Sequence, residues 1–306
     1  MWFKNLYIFA FTKPFQWQEQ DLEKQLNENL FTPCASTEIS HFGWVNALGK
    51  HGQSTVHYAN NNILLCARKE EKIVPAPVIK DMLEEKVSQH ELEHSRSATK
   101  KEKEQFKEDI LFQLLPRAFS RVTDTHGYIS PAENIIVINT SSRAKAEDFL
   151  ALLRKSLGTL PVTSPSPEIA PDELMTDWLT DKNIGDSFQL GMEAEFHAVG
   201  DDGAVVRVKN QDLGSDEIKS HLEADKYVVK LALEWDDAMS FILCDDLAIK
   251  RLKFFDVLQE QNDDIDKDDV VAKIDADFSL MAGEINRLVN ELFAEFSITA
   301  SQYLEE

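Results

Sequence analysis

The sequence predicts an α+β fold built largely from antiparallel sheets. Short runs of aromatic and β-branched residues recur in both halves of the chain, and such runs are typical of strands. Most neighbouring runs are joined by connections of hairpin length, which suit antiparallel strands and not parallel ones. The chain has 306 residues, 43% of them hydrophobic, which indicates one large folded domain or two ordinary ones.

The first half carries strand patterns and two short helical patterns. Leu22 and Leu26 have helical spacing, and Gly158 marks the end of the second helix. The asparagine run 60–62 between two strand patterns indicates a hairpin, whereas the three glycines within 43–52 indicate turns. The predicted strands are Trp2–Phe11, Val56–Ala59, Ile63–Arg68, Val122–Ile129 and Ile135–Asn139, and the predicted helices are Glu19–Asn29 and Ser142–Leu157.

Between these elements, residues 78–115 are rich in charge and have a helical pattern that breaks near Ser95–Thr99. Thr99 followed by Glu102 is typical of a capping box at the start of a second helix. Two charged helices with a polar joint predict an antiparallel hairpin at 75–116 that projects from the body. We expect this hairpin to be mobile because it has little core of its own.

The domain prediction rests on residues 161–171, which hold four prolines and two serines and are typical of a linker. We predict a central α+β domain (1–74 and 117–160), the projecting hairpin as a tip (75–116) and an acidic α+β base domain (172–306). In the base domain the patterns predict strands near Phe188–Phe196, Ala204–Lys209, Tyr227–Trp235, Met239–Cys244 and Ile249–Phe254, and helices near Ser215–Ala224 and Asp268–Phe293.

The acidic residues are concentrated in the second half of the chain. The formal net charge is −22 at pH 7; residues 1–160 hold 20 bases and 20 acids, and residues 161–306 hold 12 bases and 34 acids. Such a charge normally counts against binding nucleic acid because phosphates repel it. The uneven distribution makes the total a poor guide to any one surface, although a merely solvated acidic surface is the alternative.

The composition predicts a cytoplasmic protein. Three distant cysteines, Cys34, Cys66 and Cys244, do not match a disulfide framework and fit a reducing compartment. No run approaches the roughly 18 apolar residues of a membrane helix. The apolar start of the chain is typical of a strand and not of a signal peptide.

The sequence contains no phosphate loop, dinucleotide fingerprint, nucleophile elbow or zinc-protease motif. We therefore predict no catalytic residue, metal or cofactor. Residues 264–275 match some calcium-loop positions but lack the glycine and the final glutamate, and they fit better as an acidic lead-in to the last helix.

Two further candidates for metal or acid–base chemistry have weak patterns. The spacing of His41, His51 and His57 near Cys66 matches no standard zinc site. The acids of the segment 244–246 fit a turn at a strand end better than an acid–base pair.

Basic residues next to apolar ones suggest contacts with phosphates. In the segment 114–121, Arg117 and Arg121 flank Phe119, and an arginine fork binds phosphate while a ring can stack or wedge against bases. The alternative is that Phe119 is a core residue with the arginines at the surface. A second cluster, with a solvated helix face as its alternative, comprises Arg96, Lys100, Lys101, Lys103 and Lys107.

In the acidic half, the bases concentrate on two predicted strands. Arg207 and Lys209 share one strand face, with Gln211 following, and Arg251 and Lys253 share another, with Lys250 beside them. Basic strand faces in so acidic a region are the place where a phosphate-binding surface is expected.

Strings spread over the whole chain resemble the RdgC family of recombination-associated proteins. They include WFKNL at 2–6, FTPC at 31–34, CARKEEKI at 66–73, LLPRAFSR at 114–121, ALLRKSLG at 151–158, IKRLKF at 249–254 and DADF at 275–278. The hairpin helices match more loosely, mainly in their charge pattern.

The resemblance implies a non-enzymatic, nucleoid-associated protein that binds double-stranded DNA with little sequence preference. It implies a curved protomer in a ring-shaped homodimer whose hole admits a duplex, and antagonism of RecA-promoted strand exchange during recombination. A basic inner face and an acidic outer face would reconcile the net charge with DNA binding. The candidate DNA-binding residues are Arg96, Lys100, Lys101, Arg117, Phe119, Arg121, Arg207, Lys209, Gln211, Lys250 and Arg251.

Two other functions stay open from the residues alone. The acidic half could mimic DNA and bind a recombination protein directly, making the chain a protein-interaction regulator. A nuclease or phosphoesterase could instead hold Mg²⁺ with Asp245, Asp246 and the acids of 263–269, although no ligand pattern supports it.

Overall fold

The computed structural model describes residues 2–16, 19–181, 184–200, 203–266 and 268–298, and its helices and antiparallel strands confirm the α+β prediction. The chain forms two compact units: unit 1 comprises residues 1–26, 46–66 and 125–306, and unit 2 comprises residues 27–45 and 67–124. In chain order the elements are β1 (Leu6–Phe11), α1 (Glu19–Asn27), β2 (Ser40–Val45), β3 (Val56–Ala59), β4 (Asn62–Ile73), α2 (Ala76–His94), α3 (Lys100–Leu114), β5 (Phe119–Ser130), β6 (Ile135–Asn139), α4 (Arg143–Leu157), β7 (Val162–Thr163), α5 (Pro171–Asp181), β8 (Phe188–Ala198), β9 (Val205–Lys209), α6 (Asp216–Glu223), β10 (Lys226–Trp235), β11 (Met239–Cys244), β12 (Ile249–Phe254), α7 (Asp256–Gln259) and α8 (Val270–Glu295).

Unit 1 contains an antiparallel sheet with the strand order β5-β6-β1-β12-β11-β10-β8-β9. β8 leads into β9, and β10 into β11 and β12, through short connections, as the sequence predicts, whereas α6 lies between β9 and β10. β1 pairs between β6 and β12. This order makes β8, β9 and β10 neighbours at one end of the sheet, which is where the candidate site lies.

One face of this sheet packs against helices. The buried residues of α8 recur at spacings of three and four and include Phe278, Ile285 and Leu288, as an amphipathic helix requires. They belong to one core cluster with Trp178 of α5 and the inward side chains of β1 and of β8 to β12, among them Trp235. Burial of these large apolar side chains is the main stabilising contribution in unit 1.

Unit 2 contains the two predicted charged helices. Lys86 Nζ donates to Asp109 Oδ2 at 2.8 Å, and the rings of His90 and Phe106 lie 5.3 Å apart, so α2 and α3 run antiparallel. The predicted capping box is present, because Thr99 and Glu102 each bond the other's backbone N–H. No residue of α2 is buried and in α3 only Ile110 is, so polar contacts hold this pair together. Its projection from the rest of the chain stays a prediction.

Most predicted elements are present within two or three residues, but three places differ. Residues 40–45 form β2 and not a turn: a Cβ on Gly43 would lie 2.6 Å from the backbone of Phe31, so this glycine permits close strand contact. β1 begins at Leu6 and not at Trp2, and β4 continues to Ile73, five residues beyond its predicted end at Arg68. The hairpin at 60–62 is confirmed, with Asn60 and Asn61 at positive φ.

The predicted linker 161–171 contains structure of its own. β7 pairs with β1 through Phe11 and Val162, and Pro171 begins α5, which the sequence analysis missed. The residues on both sides of 161–171 belong to unit 1. Folding of residues 172–306 as a separate base domain therefore stays a prediction.

A buried polar network ties α8 to the strands, and it generates a stability prediction. The Tyr128 hydroxyl donates to Asn286 Oδ1 at 2.8 Å, while Asn286 Nδ2 donates to Asn62 Oδ1 at 3.2 Å and to Ser130 Oγ at 3.0 Å. We expect Asn286→Ala to lower the free energy of unfolding by about 1–3 kcal/mol, because it leaves buried polar groups unpaired. Urea unfolding measures this. The control is Asn290→Ala, one turn later on the exposed side, expected within about 0.5 kcal/mol of wild type; equal losses in both variants would contradict the prediction.

Candidate functional site

A cavity of about 410 Å³ in unit 1 gathers an unusual share of the basic residues. Five bases and two acids line it, although residues 161–306 hold 12 bases and 34 acids in all. Asn5, Ser141, Ala194, Val208 and Ile242 complete the wall. The charged lining residues are Arg207, Lys209, Lys230, Lys250, Arg251, Glu193 and Glu195.

Strand register places the charges beside one another. Glu195 of β8 lies directly opposite Arg207 of β9 on one side and Lys230 of β10 on the other. Arg207 Nε donates to Glu195 Oε2 at 2.7 Å, and Lys230 Nζ donates to Glu195 Oε1 at 3.0 Å. His197 Nε2 lies 3.2 Å from the same Oε1. One buried carboxylate therefore orients two cations and a histidine.

A β-bulge in β10 brings Lys230 to this face. Val228 pairs with Phe196 and Lys230 with Glu195, so Val229 has no partner across the ladder. Without the extra residue, strand alternation would point Lys230 toward the core. The bulge is supported by a hydrogen bond from the Val228 N–H to Thr176 Oγ1 of α5 at 2.9 Å.

A second bulge, in β12, positions Arg251. Ser240 pairs with Lys253 and Ile242 with Lys250, so one residue of β11 faces two of β12, and Arg251 has φ +52°. Its N–H donates to Asn5 Oδ1 at 3.2 Å. The bulge brings Lys250 and Arg251 to the cavity, whereas Lys253, which the sequence places on the same face as Arg251, does not line it.

The two carboxylates have different surroundings. Burial raises the pKa of Glu195, but hydrogen bonds from Arg207, Lys230 and His197 outweigh it and hold the pKa at about 2. Glu193 accepts from both terminal nitrogens of Arg251, and this hydrogen bonding lowers its pKa. Among the described residues, Lys209 and Lys250 form no ion pair within 4.0 Å. The cavity therefore has a net positive charge with two cations unneutralised.

Of the predicted site residues in unit 1, four line this cavity and one does not. Arg207, Lys209, Lys250 and Arg251 come together around it. Gln211 instead donates through Nε2 to Ser215 Oγ at 3.1 Å and to Glu217 Oε2 at 3.2 Å, at the start of α6.

The other predicted residues lie in unit 2, in two groups separated by the length of α3, about 20 Å at 1.5 Å per residue. Arg96, Lys100 and Lys101 lie at the helix joint, where Arg96 donates to both oxygens of Glu102 at 2.9 and 2.6 Å. Lys100 and Lys101 are exposed.

The second group lies where α3 leads into β5. Phe119 is 86% exposed, so the alternative that it is a core residue is wrong. Arg117 is exposed beside it, and Arg121 donates to Glu71 Oε2 at 3.2 Å. In the chain the exposed ring lies between two exposed arginines, and Arg121 is paired with Glu71.

The weaker candidates have structural roles. His57 Nε2 lies 2.8 Å from Asp275 Oδ1, and His41 Nε2 lies 3.2 Å from Thr32 Oγ1. Residues 245 and 246 form the predicted turn, and Asp269 caps α8 by accepting from the Ala272 N–H at 3.0 Å. Within the described ranges, no three His, Cys, Asp or Glu residues are grouped to hold a metal ion, and no helix has the length and apolarity to cross a membrane.

Sequence reasoning missed Lys230, Glu193 and Glu195. The signal for Lys230 was a charge inside an apolar strand pattern, VVKLAL at 228–233. A base in such a place needs a buried acid opposite it, and alternation within β8 offers Glu193 and Glu195 on one face.

Comparisons with known proteins agree on one family. A family model described as "Putative exonuclease, RdgC" matches residues 1–299. A protein of Colwellia psychrerythraea named Recombination-associated protein RdgC is 73% identical over 306 residues, which is 100% of both chains. Proteins of the same name from Aeromonas hydrophila and Salmonella paratyphi B are 52% identical over 294 residues (96% of this chain, 97% of the other) and 46% identical over 292 residues (95% and 96%).

The lowered pKa of Glu195 generates a pH prediction. Because the folded pKa is about 2 against an ordinary 4.5, ionised Glu195 stabilises the folded state above pH 4.5, and this stabilisation is lost as the pH falls toward 2. We expect the stability difference between wild type and Glu195→Gln to shrink by about 1 kcal/mol between neutral pH and about pH 3.5. Urea unfolding at a series of pH values measures it. Glu234→Gln, on an exposed position of β10, controls for the loss of one carboxylate, and a difference that is constant with pH would refute the prediction.

Proposed function

This chain belongs to the RdgC family of recombination-associated proteins, and from that premise we propose that it binds double-stranded DNA through the phosphate backbone, without sequence preference. The observation that carries the proposal is the basic cavity: five of the 12 bases of residues 161–306 line it, with only two of the 34 acids. Such a concentration of cations in an acidic region has a direct use in holding phosphates.

The chemistry of the cavity suits phosphates and not base edges. Arg207 uses only Nε for Glu195, and its two terminal nitrogens have no hydrogen-bond partner among the described residues, so they are available as a fork for phosphate oxygens. Lys209 and Lys250 add charges without ion-pair partners among the described residues. Binding would release counterions from DNA, and no base need be read.

The net charge of −22 is compatible with this proposal. Surface charges more than a Debye length away, about 8 Å at physiological salt, are largely screened. A phosphate in the cavity therefore interacts mainly with the five bases and two acids that line it, which are net positive, while acids elsewhere disfavour nonproductive contacts.

Unit 2 supplies further contacts in this proposal. The exposed ring of Phe119 would contact DNA as an apolar finger, with Arg117 and Arg121 on backbone phosphates. Arg96, Lys100 and Lys101 at the helix joint would contribute either phosphate contacts or part of a subunit interface. In unit 1, Gln211 would contribute a hydrogen bond to the DNA.

We extend the proposal to assembly and biological role. The protein would form a two-fold homodimer, ring-shaped as the family resemblance implies, that encircles duplex DNA on the nucleoid in the cytoplasm. By occupying duplex DNA it would limit RecA-promoted strand exchange. It would do so without enzymatic activity, although the family model's description names an exonuclease.

Charge reversal in the cavity tests DNA binding. We expect Lys209→Glu/Lys250→Glu to weaken binding to a fluorescent random-sequence duplex roughly 10- to 100-fold at low salt, and to flatten the log–log salt slope by about two, because two phosphate contacts are lost. The control Lys226→Glu/Lys253→Glu makes the same charge change on β10 and β12 outside the cavity.

Each alternative has its own outcome in that experiment. Equal weakening by both double variants would assign binding to net charge and not to the cavity. Failure of the wild type to bind at low salt would favour the protein-interaction function through the acidic half. Shortening of an end-labelled duplex in Mg²⁺ would establish a nuclease.

Closed circular DNA tests encirclement. We expect slow dissociation from closed circles and rapid loss from linear duplexes of the same length, because a closed ring leaves only over free ends. Competition with an excess of unlabelled duplex measures both dissociation rates. Strand exchange by RecA on protein-bound circular duplex should also slow. Equal dissociation rates from the two DNA forms would refute encirclement without affecting phosphate binding.

A further inference from the structure

Two carboxylates stand among the cavity's cations, two residues apart on β8. We propose that Glu193 is an internal competitor for phosphate, which occupies the fork of Arg251 until DNA displaces it, whereas Glu195 is a positioning residue that is not displaced. This inference rests on the proposed function and adds its regulation: part of the phosphate site is closed in the free protein.

The contact of Glu193 with Arg251 imitates an arginine–phosphate contact. Both terminal nitrogens of Arg251 donate to the two oxygens of Glu193, with Nη1 to Oε1 at 3.1 Å. A phosphate would be held by this same pair of donors. As long as the carboxylate occupies them, the terminal fork of Arg251 is closed to DNA.

This pair is accessible enough to open. The Arg251 side chain is 54% exposed and that of Glu193 is 28% exposed. Exposed ion pairs contribute little net stability, since water solvates both partners when they separate. The backbone of Arg251 is held by its bulge and by Asn5. The guanidinium can therefore change its partner while the backbone stays in place.

Glu195 differs in each of these respects. Its residue is only 9% exposed, and three donors from three positions converge on its two oxygens. Removing a buried acceptor from such a group leaves cations unpaired and unoriented. Its bond to Arg207 uses Nε alone, so within the part of the chain that the structure describes the terminal nitrogens of that arginine are open to phosphate while the side chain is held.

The consequence is a site with two kinds of arginine. Arg207 is held in a phosphate-ready position, and the terminal fork of Arg251 becomes available only by exchange of one anion for another. A molecule with several phosphates can make this exchange because Lys209 and Lys250 attract it first. An isolated anion of low charge is attracted less strongly by these lysines. Competition from Glu193 therefore favours polyanions over single phosphates or carboxylates.

The test removes one carboxylate charge at a time. We expect Glu193→Gln to bind a fluorescent random-sequence duplex about three- to tenfold more tightly than wild type near physiological salt, with a log–log salt slope steeper by about one. The matched control Glu234→Gln makes the same charge change on an exposed position outside the cavity, and we expect less than a twofold effect.

The second arm separates competition from simple charge. Glu195→Gln should bind at least threefold more weakly than wild type although it too removes a negative charge. If Glu195→Gln instead tightens binding as much as Glu193→Gln, only net charge matters and the inference is overturned. If thermal unfolding shows that Glu195→Gln does not fold, the comparison of Glu193→Gln with Glu234→Gln decides alone.

Failure of this inference and failure of the proposed function give different results. A wild type that binds duplex DNA, with Glu193→Gln within twofold of Glu234→Gln, overturns the competitor role only. A wild type that does not bind DNA at low salt overturns both.

Discussion

In unit 1 one face of the sheet packs against helices in the core, and the other face carries the charged residues of the cavity. The site depends on this separation of apolar and charged side chains. α5 and α8 contribute Trp178, Phe278 and Leu288 to one core with the inward side chains of the strands. That burial fixes which side chains of each strand turn inward, because alternation leaves the others on the opposite face. The charged residues of β8, β9 and β10 are consequently gathered on one surface, at the spacing of neighbouring strands.

The cations of that surface would repel one another without an internal acid. Glu195 lies between Arg207 and Lys230 in the ladder and bonds both, and its low pKa keeps it charged at any physiological pH. A buried carboxylate with three donors is a fixed counterion. It offsets the repulsion between the cations and holds them close together. Glu193 is more exposed and bonds one arginine, which suits a counterion that can be exchanged. The same residue type thus has two roles, which burial and the number of donors distinguish.

Unit 2 is stabilised in a different way. Its helices α2 and α3 bury almost no apolar side chains. Their joint is held instead by Glu102, which accepts hydrogen bonds from Arg96 and from the Thr99 N–H. The Arg96 hydrogen bond is the main cause of the lowered pKa of Glu102. A helix pair held by exposed polar contacts opens more readily than one with a core. The ring of Phe119 is 86% exposed, so it is accessible for the DNA contact proposed above.

Local pattern in the sequence was enough to determine the fold class, the charged helix pair with its capping box, the strands β6, β11 and β12, and the concentration of bases on β9 and β12. These features depend on residues close together in the chain. Tertiary structure decided which strands became neighbours, and therefore that Lys230 and Glu195 face the bases of β9. It also decided the two bulges that turn Lys230 and Arg251 toward the cavity. A bulge depends on how one strand pairs with the next and on a bond such as that from Val228 to Thr176 of a distant helix. Strict alternation read along a single strand assigns such residues to the wrong face, because the extra residue is defined only by the partner strand.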